Sequence, residues 1–376
     1  MNNPFVTNGY VGEHYFCDRV VETKTLVDLL TNENNVALIA PRRLGKSDLI
    51  KHCFAQPAIR DHYYTFIVDI YATSSLQDFV NALGKSIVDS LKPLGKRIIQ
   101  HFIDIVTSLR ADITFDALGQ PSWGMSMGNI TNPETSLDEI FKFLGDSGRP
   151  CLVAIDEFQQ IANYTGHPNV EAQLRTYIQQ CHNANFVFAG SQRHLMDEMF
   201  VSPSRPFYQS VTLMNLQPLS VDTYRKFAID LFDENNKTLA PDVVDIVYQR
   251  FNGVTAYMQR IMNVLFQRTN PGQICTAELI DAAINYTLGL AHDTYEALLR
   301  QVPQSQRKVL IAIAHEGKVR NVTAGSFTRK YNLPSTSSVN SAVKGLLTKD
   351  LITEEKGFYQ VYDQLFALWI KQYFNS

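Results

Sequence analysis

The sequence predicts an α/β domain with a parallel sheet, followed by a helical segment and a three-helix unit that ends in a hairpin. Three observations lead to this fold class. Short, fully apolar runs alternate with amphipathic stretches up to about residue 219. From about residue 220, apolar positions repeat only at helical spacing, and after about residue 303 three short helical stretches precede two strand-like runs. Fully apolar strands separated by helices indicate a sheet that is covered on both faces, with right-handed crossover connections.

Five apolar runs in the first part have the length and composition of buried strands. They are residues 35–40, 63–70, 151–155, 185–189 and 213–216. The predicted helices of the same domain are residues 46–54, 76–91, 94–109 and 173–182. Residues 111–128 interrupt this alternation, because strand-like ends flank Gly119, Gln120 and Pro121. This segment is therefore predicted to be a β-hairpin insertion.

The second half of the chain predicts two further domains. The expected elements of the first are helices alone, over residues 221–232, 241–251, 255–267 and 276–292. Pro241 is favourable at a helix start, and Asn270-Pro271-Gly272 marks a turn. The expected elements of the last part are helices over 304–314, 324–331 and 335–348 and strands over 351–353 and 357–361. The predicted domains are residues 1–219, 220–302 and 303–376.

Composition excludes several classes of protein. The chain has 376 residues, of which 45% are hydrophobic, so it can bury a large core and is not a disordered protein. Its net charge of −3 excludes a protein that coats nucleic acid by charge alone. The five cysteines show no CxxC spacing, which argues against a disulfide scaffold or a zinc site. We expect no signal peptide, no run near the roughly 18 apolar residues of a membrane span, and a cytoplasmic location.

Residues 40–47 (APRRLGKS) carry the strongest chemical signal. They follow a predicted buried strand and open a predicted helix, which is the setting of a phosphate-binding P-loop. Backbone N–H groups in such a loop converge on phosphate oxygens, and the helix N-terminus adds a favourable dipole. The alternative is a chance Gly-Lys-Ser at a loop–helix junction. The expected nucleotide-binding residues are Pro41, Arg42, Arg43, Leu44, Gly45, Lys46, Ser47 and Asp48.

Three residues of this loop have distinct expected roles. Gly45 lets the backbone approach the phosphates, Lys46 bridges the β- and γ-phosphates, and Ser47 gives its hydroxyl to Mg²⁺. Ala40 stands where the P-loop pattern has its first glycine. Pro41 holds the preceding residue in the β or polyproline region, where an alanine is comfortable.

Asp156 and Glu157 follow the predicted strand at 151–155. Acids at the carboxyl end of a buried strand lie where α/β sheets bind ligands. Asp156 is the expected Mg²⁺ ligand, and Glu157 is the expected general base that polarises the attacking water. Their separation from the P-loop is one that adjacent strands of such a sheet allow. The alternative is a helix N-cap with two solvated acids.

Polar residues also follow the next predicted strand. Ser191, or alternatively Gln192, is placed to contact the γ-phosphate or the attacking water, unless Ser191 only caps a helix. Arg193 and Arg205 are candidates for the extra positive charge that phosphoryl transfer uses, in cis or from a neighbouring subunit. Either arginine taken alone also fits an ordinary surface residue.

Together these motifs resemble the archaeal-type ATPases, the MNS clade of the STAND branch of AAA+ P-loop proteins, which are similar to origin-recognition ATPases. The family's P-loop reads Gly-Pro-Arg-Arg-x-Gly-Lys-Thr/Ser, and its acidic strand commonly ends Asp-Glu-Phe-Gln, as residues 156–159 do here. The Gly190-Ser191 pair, Phe16 to Arg19, Tyr362-Asp363 and residues 366–369 also match family patterns.

The resemblance implies a fold and a set of ligands. The fold is an AAA+/STAND-like α/β P-loop NTPase with an all-α lid domain and a C-terminal winged helix, and the ligands are ATP and Mg²⁺. Phe16 and Arg19, from the family's short Phe-x-x-Arg motif, join the expected nucleotide-binding residues. The lid motif Gly-x-Pro reads Gly253-Val254-Thr255 here. Thr255 stands where relatives have the proline that reports nucleotide state, so that sensing step is the one put in question.

The predicted winged helix has a possible DNA-reading surface. Residues 303–356 contain nine basic and four acidic residues, a local net charge of +5. The expected exposed positions of the third helix are Ser335, Thr336, Ser337, Ser338, Asn340 and Lys344. That helix lacks the arginines that read guanine best. Glu354 and Glu355 of the wing carry negative charge, which DNA phosphates would repel. The alternative is an internal packing and nucleotide-state module.

The function predicted from these motifs is an ATP-binding, Mg²⁺-dependent NTPase that acts as a switch and hydrolyses ATP to ADP and phosphate. Bound triphosphate would order the lid helices, and hydrolysis would release them. One alternative is a DNA-binding regulator with a weakly active ATP site. Another is a STAND-type sensor that forms homo-oligomers and works with a separate effector protein.

Overall fold

The computed structural model describes residues 3–108, 113–115, 121–123, 132–164, 169–355 and 357–374. The chain forms two compact units. The α/β unit comprises the described residues of 8–219, and the C-terminal unit comprises residues 3–7 and the described residues from 220 onward. The sequence placed the first seven residues in the first domain, whereas residues 3–7 belong to the second unit. The predicted division of the C-terminal unit at residue 303 stays a prediction.

A five-stranded parallel sheet organises the α/β unit. The strands of this unit in chain order are β1 (Val36–Ile39), β2 (Tyr64–Asp69), β3 (Ile113–Phe115), β4 (Pro121–Trp123), β5 (Cys151–Asp156), β6 (Ala184–Gly190) and β7 (Thr212–Asn215). The order within the main sheet is β2-β5-β6-β1-β7, and all neighbours run parallel. The predicted parallel α/β fold is therefore confirmed. The sequence separation of the two motifs would allow adjacent strands, and the structure instead places β6 between β1 and β5.

Helices connect these strands. They are α1 (Val20–Thr31), α2 (Lys46–Ala55), α3 (Pro57–Arg60), α4 (Leu76–Leu91), α5 (Lys96–Ile105), α6 (Pro133–Asp146), α7 (Val170–Gln180) and α8 (Arg193–Val201). Short 3₁₀ helices lie at Glu13–Tyr15, Lys92–Leu94 and Phe158–Asn163. The helix predicted over 94–109 starts later than expected, because Gly95 has a φ of 103° and cannot continue a helix.

An aromatic cluster fixes the segment that follows β5. The Phe158 ring lies 4.6 Å from that of Phe188 and 5.5 Å from that of Phe207, measured between centroids. The Phe200 ring packs on the same group at 5.8 Å. Each of these rings is almost completely buried, and burial of one such side chain contributes about 1.5–3 kcal/mol. The backbone on either side of Phe158 is thereby held against the sheet.

The predicted hairpin insertion is visible in part. Strands β3 and β4 pair antiparallel, with Ile113 opposite Trp123 and Phe115 opposite Pro121. The predicted insertion covers residues 111–128. Of these, residues 111–112, 116–120 and 124–128 lie outside the described part of the chain.

The C-terminal unit is mostly helical. Its helices are α9 (Val221–Asp233), α10 (Pro241–Arg250), α11 (Thr255–Arg268), α12 (Leu279–Leu290), α13 (His292–Arg300), α14 (Gln304–Glu316), α15 (Gly325–Lys330), α16 (Thr336–Thr348) and α17 (Gln364–Tyr373). Its strands are β8 (Thr238–Leu239), β9 (Ile274–Cys275), β10 (Ile352–Glu355) and β11 (Phe358–Val361).

The prediction of helices alone between 220 and 302 is wrong in one detail. Strands β8 and β9 form a short parallel pair, with Thr238 opposite Ile274. The turn at Gly272 brings them together, because its N–H donates to the carbonyl of Asn236 at 2.6 Å. A two-residue pair has no periodic pattern long enough to be recognised in the sequence.

The first described residues complete the core of this unit. Phe5 is fully buried, and its ring contacts those of Phe227, Phe232 and Phe266 at 5.7–6.3 Å. Asn263 holds the backbone there, because its side-chain amide donates to the Phe5 carbonyl at 2.7 Å. These contacts explain why the start of the chain belongs to the C-terminal unit.

Helices α14, α15 and α16 with strands β10 and β11 form the winged helix. The two strands pair antiparallel, and Val319 forms a bridge to Tyr359 beside them. Ser335 caps α16 by accepting a hydrogen bond from the N–H of Ser338. The predicted helices and hairpin are thus present. In the part of the chain that the structure describes, no helix is both long enough and apolar enough to cross a membrane.

Candidate nucleotide-binding and active site

Residues 40–45 form a tight loop between β1 and α2. The N–H of Ala40 donates to the Gly190 carbonyl at 3.1 Å, so the pairing of β1 with β6 extends one residue into the loop. This bond suits the extended backbone predicted for an alanine before Pro41. Arg43 and Gly45 both have left-handed backbone, with φ of 73° and 87°. Gly45 meets this requirement without strain, and α2 begins directly after it.

Lys46 and Ser47, the first residues of α2, both contact Asp156 at the end of β5. Lys46 Nζ forms an ion pair with one carboxylate oxygen of Asp156, and Ser47 Oγ donates to the other. Lys46 and Asp156 are 6% and 7% exposed, so the two charges compensate each other away from bulk water. The alternative interpretation of Asp156 as a solvated capping acid is therefore wrong.

Glu157 is held at one of its carboxylate oxygens. Ser191 Oγ donates to Glu157 Oε2 at 2.6 Å, and Gln159 Nε2 donates to the same oxygen at 2.5 Å. The other oxygen, Oε1, lies 3.8 Å from Lys46 Nζ. Glu157 has left-handed backbone with a φ of 58°, which is uncommon for a residue with a side chain.

Ser191 does not cap a helix. Helix α8 begins at Arg193, its capping position is Gln192, and no side chain caps it. The Ser191 hydroxyl is instead directed at Glu157. Sheet order explains this contact, because β6 lies between the P-loop strand and the acidic strand and all three strands end at the same edge.

Arg19 is buried and donates hydrogen bonds to the backbone of the P-loop and of the segment after β7. It is 4% exposed, and its guanidinium donates to the carbonyls of Leu44 at 3.2 Å and Gln217 at 2.6 Å. It also pairs with Glu22 at 2.7 Å. Arg19 was expected to bind the nucleotide, and the structure places its donors on the protein backbone that shapes the P-loop.

Phe16 packs on the second turn of α2. Its ring stacks on His52, with centroids 4.4 Å apart, and the Tyr10 hydroxyl lies 3.1 Å from His52 Nδ1. Burial lowers the pKa of His52. Asp48 lies half-buried on the same helix. Burial raises its pKa, because burial disfavours the charged form of a carboxylate as it does that of a histidine.

The other predicted residues of the loop differ in their exposure to solvent. Arg42 lies over the ring of Tyr71, 4.9 Å from its centroid. Pro41 and Arg43 are exposed, whereas Leu44 is buried.

The two candidate arginines pair with acids other than Asp156 and Glu157. Arg193 is 62% exposed, and its Nε lies 3.5 Å from Asp197. Arg205 pairs with Glu171 at 2.8 Å and Glu198 at 3.6 Å. Burial raises the pKa of Glu171. A role for Arg193 in phosphoryl transfer stays a prediction.

Thr255 is the first residue of α11 in the C-terminal unit. Its predicted contact with the nucleotide stays a prediction.

Sequence analysis missed the place of Gln159 in this cluster. Gln159 belongs to the quoted family motif, but no role was assigned to it. A recognisable signal was present, because Gln159 is a polar residue three positions beyond the last residue of the acidic strand and directly follows Phe158. In the structure its side chain is 3% exposed.

Comparison with known families decides what kind of domain this is. A model described as an ATPase domain found predominantly in Archaea matches residues 16–261. The chain belongs to this family. A second model, a probable winged helix domain, matches residues 293–372. The chain therefore combines a P-loop domain of this ATPase family, with its ATP-binding loop, and a winged helix.

Individual relatives agree with this assignment. Over 256 residues the chain is 23% identical to an uncharacterized ATP-binding protein of Methanocaldococcus jannaschii. The alignment covers 63% of this chain and 68% of that protein.

Three solved structures are similar in fold. A Walker-type ATPase of Pyrococcus abyssi has a TM-score of 0.64 at 17% identity, over 98% of this chain and 99% of that one. The ORC2 protein of Aeropyrum pernix, solved as ADPNP–ADP complexes, has a TM-score of 0.59 at 12% identity, over 98% and 96%. The ORC1 protein of the same organism, solved with DNA, has a TM-score of 0.54 at 13% identity, over 95% and 93%. At these identities the similarity establishes the fold.

Replacement of Arg19 tests its support of the loop. We expect Arg19→Ala to weaken ATP binding by about 10-fold, because the carbonyls of Leu44, which is buried, and Gln217 lose a charged donor. Isothermal titration calorimetry measures the change. Arg97→Ala, which removes an exposed arginine from α5, is the control and should bind as the parent does. Unchanged affinity in Arg19→Ala would show that the loop keeps its shape without this support.

Replacement of Lys46 tests the P-loop itself. Lys46→Ala removes the cation that is expected to contact the phosphates and leaves the Asp156 carboxylate uncompensated, so we expect ATP affinity to fall by at least about 100-fold. Binding of a fluorescent ATP analogue reports the loss. Lys24→Ala, at an exposed position of α1, is the matched control. Retained micromolar binding in Lys46→Ala would contradict the assignment of the loop.

Proposed function

We propose that this protein hydrolyses ATP to ADP and phosphate in a Mg²⁺-dependent reaction and uses its nucleotide state as a switch. The observation that supports this proposal best is the geometry of Glu157. One carboxylate oxygen is held by two donors, while the other faces Lys46, the residue expected at the β- and γ-phosphates.

An acid in this position suits a general base. Glu157 Oε1 lies 3.8 Å from Lys46 Nζ, the group expected to contact the γ-phosphate of ATP. It would accept a proton from a water molecule as that water attacks the γ-phosphorus and the bond to the ADP oxygen breaks. Lys46 and the loop N–H groups would meanwhile hold the phosphate charge.

ATP binding would change the partner of Lys46. In the structure, Lys46 Nζ is paired with Asp156. Lys46 Nζ would then pair with phosphate oxygens of the nucleotide. Asp156 would need another cation, because an unpaired buried carboxylate is costly. Binding of nucleotide and of a divalent cation are thereby linked.

The residues around Asp156 fit Mg²⁺. The cation prefers oxygen ligands, and in nucleotide sites it is held by one or two protein oxygens together with substrate phosphates. The Ser47 hydroxyl and the Asp156 carboxylate are already in hydrogen-bond contact, so both are placed to hold it. When bound, Mg²⁺ supplies positive charge to the β- and γ-phosphates.

A switch requires a group that distinguishes ATP from ADP. Ser191 is such a group, because its hydroxyl has one proton, which it donates to Glu157 in the present structure. A γ-phosphate oxygen would compete for that proton. The presence of the γ-phosphate would therefore change the contact between the ends of β5 and β6, and its loss would restore that contact.

Replacement of Glu157 tests hydrolysis separately from binding. We expect Glu157→Gln to bind ATP as the parent does and to lose at least about 100-fold in turnover, because the amide cannot accept the proton from water. Phosphate release measures turnover, and a fluorescent analogue measures binding. Glu33→Gln is a close control, because Glu33 is exposed and has the same left-handed backbone, with a φ of 59° against 58°. Normal turnover in Glu157→Gln would refute the general-base role.

One observation favours DNA as a further partner. The exposed face of α16 carries Ser335, Thr336, Ser337, Asn340 and Lys344, while Ser338 is half-buried. The ORC1 protein of similar fold was solved with DNA. We therefore propose that the winged helix contacts DNA phosphates, although the exposed Glu354 and Glu355 of the hairpin weaken this interaction.

The salt dependence of DNA affinity tests this contact. We expect Lys344→Ala to weaken binding to duplex DNA and to flatten the log–log salt slope by about 0.9, the contribution of one phosphate contact. Fluorescence anisotropy at several salt concentrations gives the slope. Lys226→Ala, an exposed lysine of α9, serves as the control. An identical slope for Lys344→Ala and the parent would place Lys344 outside the DNA interface.

A further inference from the structure

Gln159 contacts both Glu157 and Ser191. It belongs to the 3₁₀ helix Phe158–Asn163 and is 3% exposed. Its Nε2 donates to Glu157 Oε2 at 2.5 Å and lies 3.5 Å from Ser191 Oγ. The amide end of the side chain is thus directed at the proposed general base.

The other end of the same amide has no protein partner. Gln159 Oε1 is buried and accepts no hydrogen bond within the described part of the chain. Buried polar atoms are nearly always satisfied, so a glutamine that served only to fill space here would be less favourable than an apolar residue of the same size. The contact between its N–H groups and Glu157 is what distinguishes Gln159 from such a residue.

The surrounding residues hold this side chain in place. A side chain at Gly190 would place a Cβ 2.7 Å from Gln159 Oε1 and 2.3 Å from Met196 Sδ, so β6 must end in a glycine for Gln159 to fit. The preceding Phe158 is anchored in the aromatic cluster described above. Gln159 therefore has a fixed backbone and little room to turn away from Glu157.

Hydrogen-bond capacity separates the roles of Ser191 and Gln159. The serine hydroxyl has one proton and cannot donate to Glu157 and to a γ-phosphate at once, whereas the amide has two N–H donors and no phosphate role in the proposed site. When ATP draws the Ser191 hydroxyl away, Gln159 is left as the donor to Glu157 Oε2.

We propose that Gln159 is a positioning residue that keeps Glu157 Oε2 engaged during hydrolysis, so that Oε1 stays directed at the attacking water. The inference rests on the proposed function of Glu157 as general base. It assigns to Gln159 an effect on the rate of hydrolysis and none on nucleotide affinity, because its side chain contacts Glu157 and Ser191 and not the P-loop.

The test is Gln159→Met, which keeps the length of the side chain and removes its donor. We expect kcat for ATP hydrolysis to fall about 10- to 100-fold, since loss of orientation at a reacting group costs this much. The Kd for Mg²⁺-ATP should stay within about twofold of the parent value. Gln160→Met is the matched control, because Gln160 lies in the same 3₁₀ helix and donates to the Thr73 carbonyl at 3.0 Å instead of to Glu157. It should retain the parent kcat.

A double-mutant cycle separates positioning from a general structural effect. In the Glu157→Gln background, Gln159→Met should cause no further loss of the residual rate, because the base that it positions is already absent. A further loss would overturn the proposal, as would a normal kcat in Gln159→Met. If Gln159→Met failed to fold, Gln159→Leu would replace it, and a normal kcat there would be equally decisive. A folded Gln159→Met that no longer bound ATP would also overturn the proposal.

The failure of this inference is distinct from the failure of the proposed function. Normal turnover in Glu157→Gln would remove the general base itself. Loss of turnover in Glu157→Gln together with normal turnover in Gln159→Met would leave the ATPase proposal intact and refute only the positioning role.

Discussion

The buried ion pair between Lys46 and Asp156 is the contact on which the rest of the site depends. The two residues are 110 positions apart in the chain, and each is nearly inaccessible to solvent. Either charge alone would be costly at this depth, so each is tolerated because of the other. The pair also joins the first residue of α2 to the last residue of β5, which fixes the P-loop relative to the acidic strand. Ser47 adds a second bond to the same carboxylate and strengthens that link.

Sheet order determines what else reaches this pair. Because β6 lies between β1 and β5, its last residue, Gly190, accepts a hydrogen bond from the N–H of Ala40, and Ser191 just after it comes within 2.6 Å of Glu157. Gly190 allows the approach, since any larger residue would collide with Gln159 and Met196. The phenylalanine cluster beneath supplies apolar burial that holds the left-handed backbone at Glu157. A strained, polar site is thus supported by a well-packed apolar layer, a common way for functional strain to persist.

The C-terminal unit is stabilised by separate contacts. Its core includes Phe5, which comes from the opposite end of the sequence, and the bond from Asn263 keeps that segment in place. The winged helix within it buries the apolar face of α16 and leaves a polar face exposed. The buried side contributes to the stability of the unit.

The sequence by itself determined the type and position of most elements. Apolar runs located β1, β2, β5, β6 and β7 within one or two residues, and helical periodicity located α4 as Leu76–Leu91, because these signals depend only on nearby residues. Local chemistry likewise identified the P-loop and the two acids. Only the tertiary structure decided strand order, the membership of Phe5, the backbone contacts of Arg19 and the role available to Gln159. These features depend on which distant segments become neighbours, and a local pattern of polarity carries no information about that choice.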